Sequence, residues 1–188
     1  VGQVLVYPYY TVNNGLNTLV SVVNTTDETK AVKVRFLEGK NSRECLDFNI
    51  YMSEYDVWTA GLVPATATAA FSGPYAGDDT VKLVTFDNTC TVPGDIRTSG
   101  YEFLPWGFDP QGDGNVNSGY DRGGQDLARC TEGHFEVIEM GVLTNSGDRS
   151  SARHNASGVA SCTTILSNWS PTGKWTANSA TDISPPTG

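Results

Sequence analysis

Lys30-Ala31-Val32-Lys33-Val34-Arg35-Phe36 and, further on, Leu46-Asp47-Phe48-Asn49-Ile50-Tyr51-Met52 decide the fold. In the first run Val32, Val34 and Phe36 alternate with Lys33 and Arg35. In the second, Leu46, Phe48, Ile50 and Met52 alternate with Asp47, Asn49 and Tyr51. A period of two is the side-chain period of a strand, and apolar residues on one face only mark half-buried antiparallel strands. Upstream, Leu19-Val20-Ser21-Val22-Val23 is apolar on both faces and reads as a central strand. Asn24-Thr25-Thr26-Asp27 and Glu38-Gly39-Lys40-Asn41-Ser42 are turn clusters between these runs. Asp56 to Ala60 and Val81 to Phe86 add two more strands. Strands recurring about every 12 residues, with Trp58 pointing inward, predict a mostly β, immunoglobulin-like antiparallel β-sandwich. It would carry a long loop insertion and at most one or two short helices.

The alternation dissolves between Asp87 and Glu132, a stretch rich in Gly, Asp and Asn with aromatics at Tyr101, Phe103, Trp106, Phe108 and Tyr120. A connection of that length reads as a functional loop or an excursion packed on the sheet. Phe135 and Val137, then Ile138, Met140 and Val142, give a strand whose register changes near Val137-Ile138, as at a β-bulge. Ser161 to Trp169 is the one plausible helix. The simplest organisation is a single sandwich domain over residues 1–183, with 87–132 as a long inserted loop region and 184–188 as a Pro-rich tail or linker.

The chain has 188 residues, 38% hydrophobic and 10% aromatic, too apolar for a disordered polymer. Twelve Lys and Arg stand against 21 Asp and Glu, a net charge of −9. That balance repels phosphate backbones and anionic lipid, so neither nucleic acid nor membrane insertion is expected. Gly61 to Phe71 is the longest mildly apolar stretch and is far too short to span a bilayer. The sequence opens on Val1-Gly2-Gln3 without an initiator Met, as a mature exported protein does; the alternative is a shortened chain.

Cys45, Cys90, Cys130 and Cys162 form no CxxC and no Cys/His cluster, which argues against zinc. An even number of separated cysteines suits oxidised pairs in a secreted or cell-surface protein. Three connectivities are possible, and Cys45–Cys130 with Cys90–Cys162 is preferred. Cys45 sits in a strand beginning Arg43-Glu44 and Cys130 immediately precedes another, so a strand-to-strand staple is easy. Each pair closes a long loop, worth about 4 kcal/mol in the chain-entropy model.

Gly2 to Val12, Ser21 to Asp27 and Lys30 to Phe36, extended by Asn41-Ser42-Arg43, Asp47-Phe48-Asn49 and Asp56 to Ala60, resemble an uncharacterised family of exported bacterial β-rich surface proteins. Gly119-Tyr120-Asp121-Arg122-Gly123 and Glu136 to Gly141 resemble its later blocks. The resemblance implies export and a β-rich fold, and transfers no catalytic residue. Its members are longer, which implies a chain continuing past Gly188, and they need not carry cysteine at positions 45 and 130.

No constellation fixes a chemistry. Asp109, Asp113, Asn115 and Asp121 resemble the front of a calcium loop, with Gly114 at the sixth position; Tyr120 stands where a bidentate Glu belongs, so an ordinary turn is the simpler reading. Calcium is therefore the single cofactor considered, and none is expected. Glu136 and Glu139 could pair as glycosidase carboxylates only across a bulge. His154 has serines around it but no Gly-x-Ser-x-Gly elbow. Trp58, Trp106, Trp169 and Trp175 could stack on sugars, or pack a core and a loop. Val4, Val6, Tyr7, Tyr9 and Tyr10 form an apolar N-terminal strand that pairs in its own sheet or completes a neighbour's. The expectation is a non-enzymatic extracellular or cell-surface structural protein, a fibre or layer subunit that self-associates or binds other surface proteins through strand pairing. The alternative is a glycan- or protein-binding adhesion module.

Overall fold

A computed structural model describes residues 2–72, 75–108, 123–124, 126–178 and 182–186. The calcium candidates Asp109, Asp113, Asn115 and Asp121 lie outside the described residues. The strands are β1 (Val4–Thr11), β2 (Thr18–Val23), β3 (Lys30–Glu38), β4 (Glu44–Met52), β5 (Val57–Thr66), β6 (Asp79–Val84), β7 (Cys90–Val92), β8 (Tyr101–Glu102), β9 (Glu132–Leu143) and β10 (Ile183–Ser184). They make two antiparallel sheets, one ordered β1-β9-β3-β4-β7 with β10 also on β9, the other β2-β5-β6-β8. This is a two-sheet sandwich. Its strand path does not by itself establish the immunoglobulin order, which sets four strands against three.

The alternation in β3 and β4 does what a period of two requires. Val32, Val34, Phe36, Leu46, Phe48, Ile50 and Met52 enter the core, while Lys33 pairs with Asp47, and Arg35 with Glu44 at 3.0 Å and Glu136 at 3.4 Å, on the other face. Between the sheets the core is aromatic. Tyr10, Phe36, Phe103 and Phe135 pack ring to ring, and Trp58 from β5 meets Phe48 from β4 at 5.7 Å.

Several expectations change. The stretch 87–132 contains β7, β8, the helix α2 (Ile96–Ser99) that follows α1 (Ala69–Ser72), and a 3-10 turn at Leu127–Thr131. Two- and three-residue strands are too short to show a period, so they read as loop. Beside the expected helix, here α4 (Thr163–Asn168), stand α3 (Ser146–Ala152) and α5 (Lys174–Asn178). The bulge lies later than predicted: Val32 faces Glu139 while Ala31 faces Gly141, making Met140 the extra residue. Gly141 has φ +150, and a Cβ there would fall 2.0 Å from the Ser184 carbonyl oxygen. That close approach is β10, which pairs Ser184 with Val142, so the first residue of the expected tail belongs to the sheet.

Residues 144–178 form a cap on the outer face of the larger sheet. Tyr51, Leu143, Ala152, Ile165 and Trp175 make a second core there, held by the Cys90–Cys162 disulfide, while Cys45–Cys130 ties β4 to the 3-10 turn. Asp148 is fully buried within the cap and accepts from Asn168 Nδ2 at 2.7 Å and Lys174 Nζ at 3.0 Å.

A second buried charge sits where β3 ends. Glu38 and Arg129 have no exposed side-chain surface and meet at 2.9 Å. Glu38 also accepts the backbone N–H groups of Lys40, Asn41 and Arg43, and the Arg129 guanidinium lies 4.4 Å over the Phe108 ring. Burial pushes the Glu38 carboxyl up, but the Arg129 hydrogen bond and the three N–H groups outweigh it and hold it below its ordinary 4.5. Because the folded value is the lower one, this stabilisation is present above about pH 4.5 and is lost as pH falls through the folded value. Arg129→Met strands the carboxylate and is expected to cost about 3–5 kcal/mol, read as a lower urea midpoint at unchanged m. A midpoint equal to the parent's at pH 7 contradicts this.

Candidate functional site

The strand read as central is an edge. Among the described residues β2 pairs with β5 and with nothing else in its sheet, and nothing covers Leu19 and Val23 on its outer face. Val20 and Val22 enter the core, whereas Leu19 and Val23 stay exposed, Leu19 at 85%. Across the sheet Leu19 faces Gly61, Ser21 faces Thr59 and Val23 faces Val57. Val84 faces Gly61 from the other side, and a Cβ on Gly61 would sit 3.7 Å from both Leu19 and Val84. Phe86 is fully exposed between Thr85 and Asp87, whose side chains both bond the Thr59 backbone. The result on the smaller sheet is an uncharged outer face along β2 and β5, where exposed Leu19, Val23 and Val57 flank the polar Ser21–Thr59 pair. The outer face of the larger one carries ion pairs and a cap.

Sequence held a signal for this that alternation does not read. The first 26 residues contain no Asp, Glu, Lys or Arg, and neither does β5. Edge strands are commonly guarded by charges, proline, bulges or shortness. The edges β7 and β8 are three and two residues long. β1 carries Pro8 within a register shift between Tyr7 and Tyr10. β2 pairs with β5 in unbroken register over all six residues and has no guard.

Which backbone groups that edge offers follows from three bonds. Asn24 N–H donates to Asp56 O, and the N–H and C=O of Thr59, opposite Ser21, are engaged on the β6 side. Since backbone direction alternates along a strand, Val20 and Val22 bond β5, while the N–H and C=O of Leu19, Ser21 and Val23 point to the free edge.

The N-terminal strand is engaged at home. Val4 faces Ile138, Leu5 faces Val137, Val6 faces Glu136 and Tyr7 faces Phe135, with the Tyr7 and Phe135 rings stacked at 4.3 Å. Tyr10 is buried and its hydroxyl donates to the Cys130 carbonyl at 2.9 Å; Tyr9 donates to Glu132. β1 is therefore held in its own sheet and is not free to complete a neighbour's. β1 and β2 are joined at Thr11 and Thr18, whose hydroxyl bonds the Thr11 N–H and C=O. Farther along they flank a groove of about 420 Å³ lined by Leu5, Tyr7, Val22, Val32, Met52 and Val137, with the Lys30–Glu139 ion pair in its wall.

Of the four tryptophans, Trp58 and Trp175 are buried, Trp169 is half-buried and donates to the Tyr51 hydroxyl, and Trp106 is 55% exposed. Trp106 borders a second cavity of about 210 Å³ with Tyr101, Lys33, Asp47 and Asn49. Asn49 is 9% exposed, and its side-chain carbonyl oxygen has no hydrogen-bond partner among the described residues. Glu136 and Glu139 are each engaged by a different cation, Arg35 and Lys30, rather than by one shared substrate-sized gap. His154 Nδ1 lies 3.4 Å from Ser53 Oγ and 3.8 Å from Asp56 Oδ1. Both groups meet the same ring nitrogen, so this imidazole cannot pass a proton from one to the other as a triad histidine does. No helix among the described residues is long and apolar enough to cross a membrane, which says nothing of spanning strands.

In dilute solution, amide hydrogen exchange should separate neighbours along β2. The Leu19, Ser21 and Val23 amides are expected to exchange as open positions, and Val20 and Val22 as protected ones. Equal protection across the five would refute the assigned edge. No family model, no curated protein and no solved structure matches this chain, so its function rests on the geometry just described.

Proposed function

We propose that this is a non-enzymatic structural domain of the extracellular or cell-surface space, which packs against neighbouring molecules through the bare side of its smaller sheet. The observation that carries the reading is the pairing of an unguarded, uncharged edge strand with exposed Leu19, Val23, Val57 and Phe86 on one face. Exposed large apolar side chains grouped beside an open strand edge suit an interaction site. Two disulfides suit an oxidising compartment, and the resemblance to exported β-rich bacterial proteins agrees with export.

Sedimentation velocity over a wide concentration range tests the reading. The parent is expected to associate, and Leu19→Lys, a change at an exposed side chain, to remain monomeric with an unaltered melting temperature. A parent that stays monomeric at every concentration overturns it.

A glycan-binding adhesion module is the second reading, favoured by the exposed Trp106 beside its cavity. An aromatic face takes the C–H side of a sugar ring. Titration with soluble chito-, cello- and manno-oligosaccharides followed by tryptophan fluorescence should give saturable changes that Trp106→Ala abolishes. The absence of any change in the parent removes this reading.

A further inference from the structure

Resting on the assembly reading, we infer that the partner of β2 is β2 of a second copy of this chain, paired antiparallel across a two-fold axis through Ser21. The geometry of the edge selects this occupant. Leu19, Ser21 and Val23 direct their N–H and C=O groups outward, and they are spaced evenly about Ser21. In an antiparallel pair centred there, Ser21 exchanges both hydrogen bonds with the partner's Ser21. Leu19 does the same with the partner's Val23, and Val23 with the partner's Leu19. Six bonds form and the six outward residues of the two edges are all satisfied.

Side chains agree with that register. Residues directly opposite in a ladder share a face, so Leu19 stands beside the partner's Val23 on the exposed surface at both ends. The two four-stranded sheets become one of eight, and the bare apolar rows of Leu19, Val23 and Val57 meet at its centre. A one-residue slip would put outward-directed groups opposite inward-directed ones and forfeit the ladder.

Charge selects the same contact. At −9, two copies repel each other over most approaches. Neither β2 nor β5 contributes a charged residue, so two acidic molecules can meet along this edge without setting like charges opposite one another. The other long edge is a poorer mate, because Pro8 offers no N–H and the β1 register breaks beside it.

The test uses disulfide trapping in the intact chain, whose four native cysteines are all paired, so an added cysteine is the sole free thiol. Directly opposed residues of a bonded pair have Cα atoms about 5.5 Å apart, within disulfide reach. Under mild oxidation Ser21→Cys is expected to give about tenfold more covalent dimer than Ser146→Cys, an exposed control on the cap. Leu19→Cys mixed with Val23→Cys should cross-link as mixed dimers well above either alone, which keeps the register testable if Ser21→Cys disturbs the strand. Parent association in the centrifuge with both cross-links at the control level overturns this register and leaves the assembly reading standing. Cross-linking of Ser21→Cys to a different protein in its native material, in place of a second copy, also overturns the inference. A parent that is monomeric throughout overturns both.

Discussion

β3 is the strand on which everything else is hung. It is bonded on one side to β4 and on the other to β9, so its alternation is imposed on both neighbours. Val32, Val34 and Phe36 send one face of the larger sheet into the aromatic core. Lys33 and Arg35 keep the opposite face polar, and Ala31 makes room for the cap near the far end. At its end Glu38 and Arg129 bury opposite charges together, which fixes where the strand stops and where the chain returns from its long excursion.

From that strand outward the two sheets meet different fates. The larger is covered on its outer side by α3, α4 and α5, stapled by Cys90–Cys162 and organised around the buried Asp148 carboxylate. The smaller has no such cover among the described residues. The same chain thus spends 35 residues covering part of one outer face and, among the described residues, leaves Leu19, Val23 and Val57 exposed on the other. Neutral strands in an acidic molecule, and an unguarded edge beside guarded ones, are the features on which the proposed interface rests.

How far the sequence could be read depended on length of pattern. β3 and β4 were legible because alternation over Val32–Phe36 and over Leu46–Met52 leaves one reading. β7 and β8 were not, since two or three residues carry no period; of the cap helices, α4 was expected and the short α3 and α5 were not. β2 was recognised as a strand but misplaced at the sheet centre. Apolar residues on both faces have two causes, cover by the same chain or by another, and periodicity cannot tell them apart. The charge-free first 26 residues could have, because a buried strand has no need for neutral neighbours on its exposed side. The bulge was placed two residues early because Ile138 looked like its start. The controlling feature is Gly141, needed for the approach of β10, a partner more than 40 residues away in the chain.

The central claim is that the smaller sheet is half of an interface. Cryo-electron microscopy of the assembled native material tests it most directly. The account predicts density for a second molecule continuous with β2, with Leu19 and Val23 buried and the cap of residues 144–178 facing outward. Particles joined through the cap or the β7 edge, with the outer face of β2 and β5 open to solvent, would contradict it.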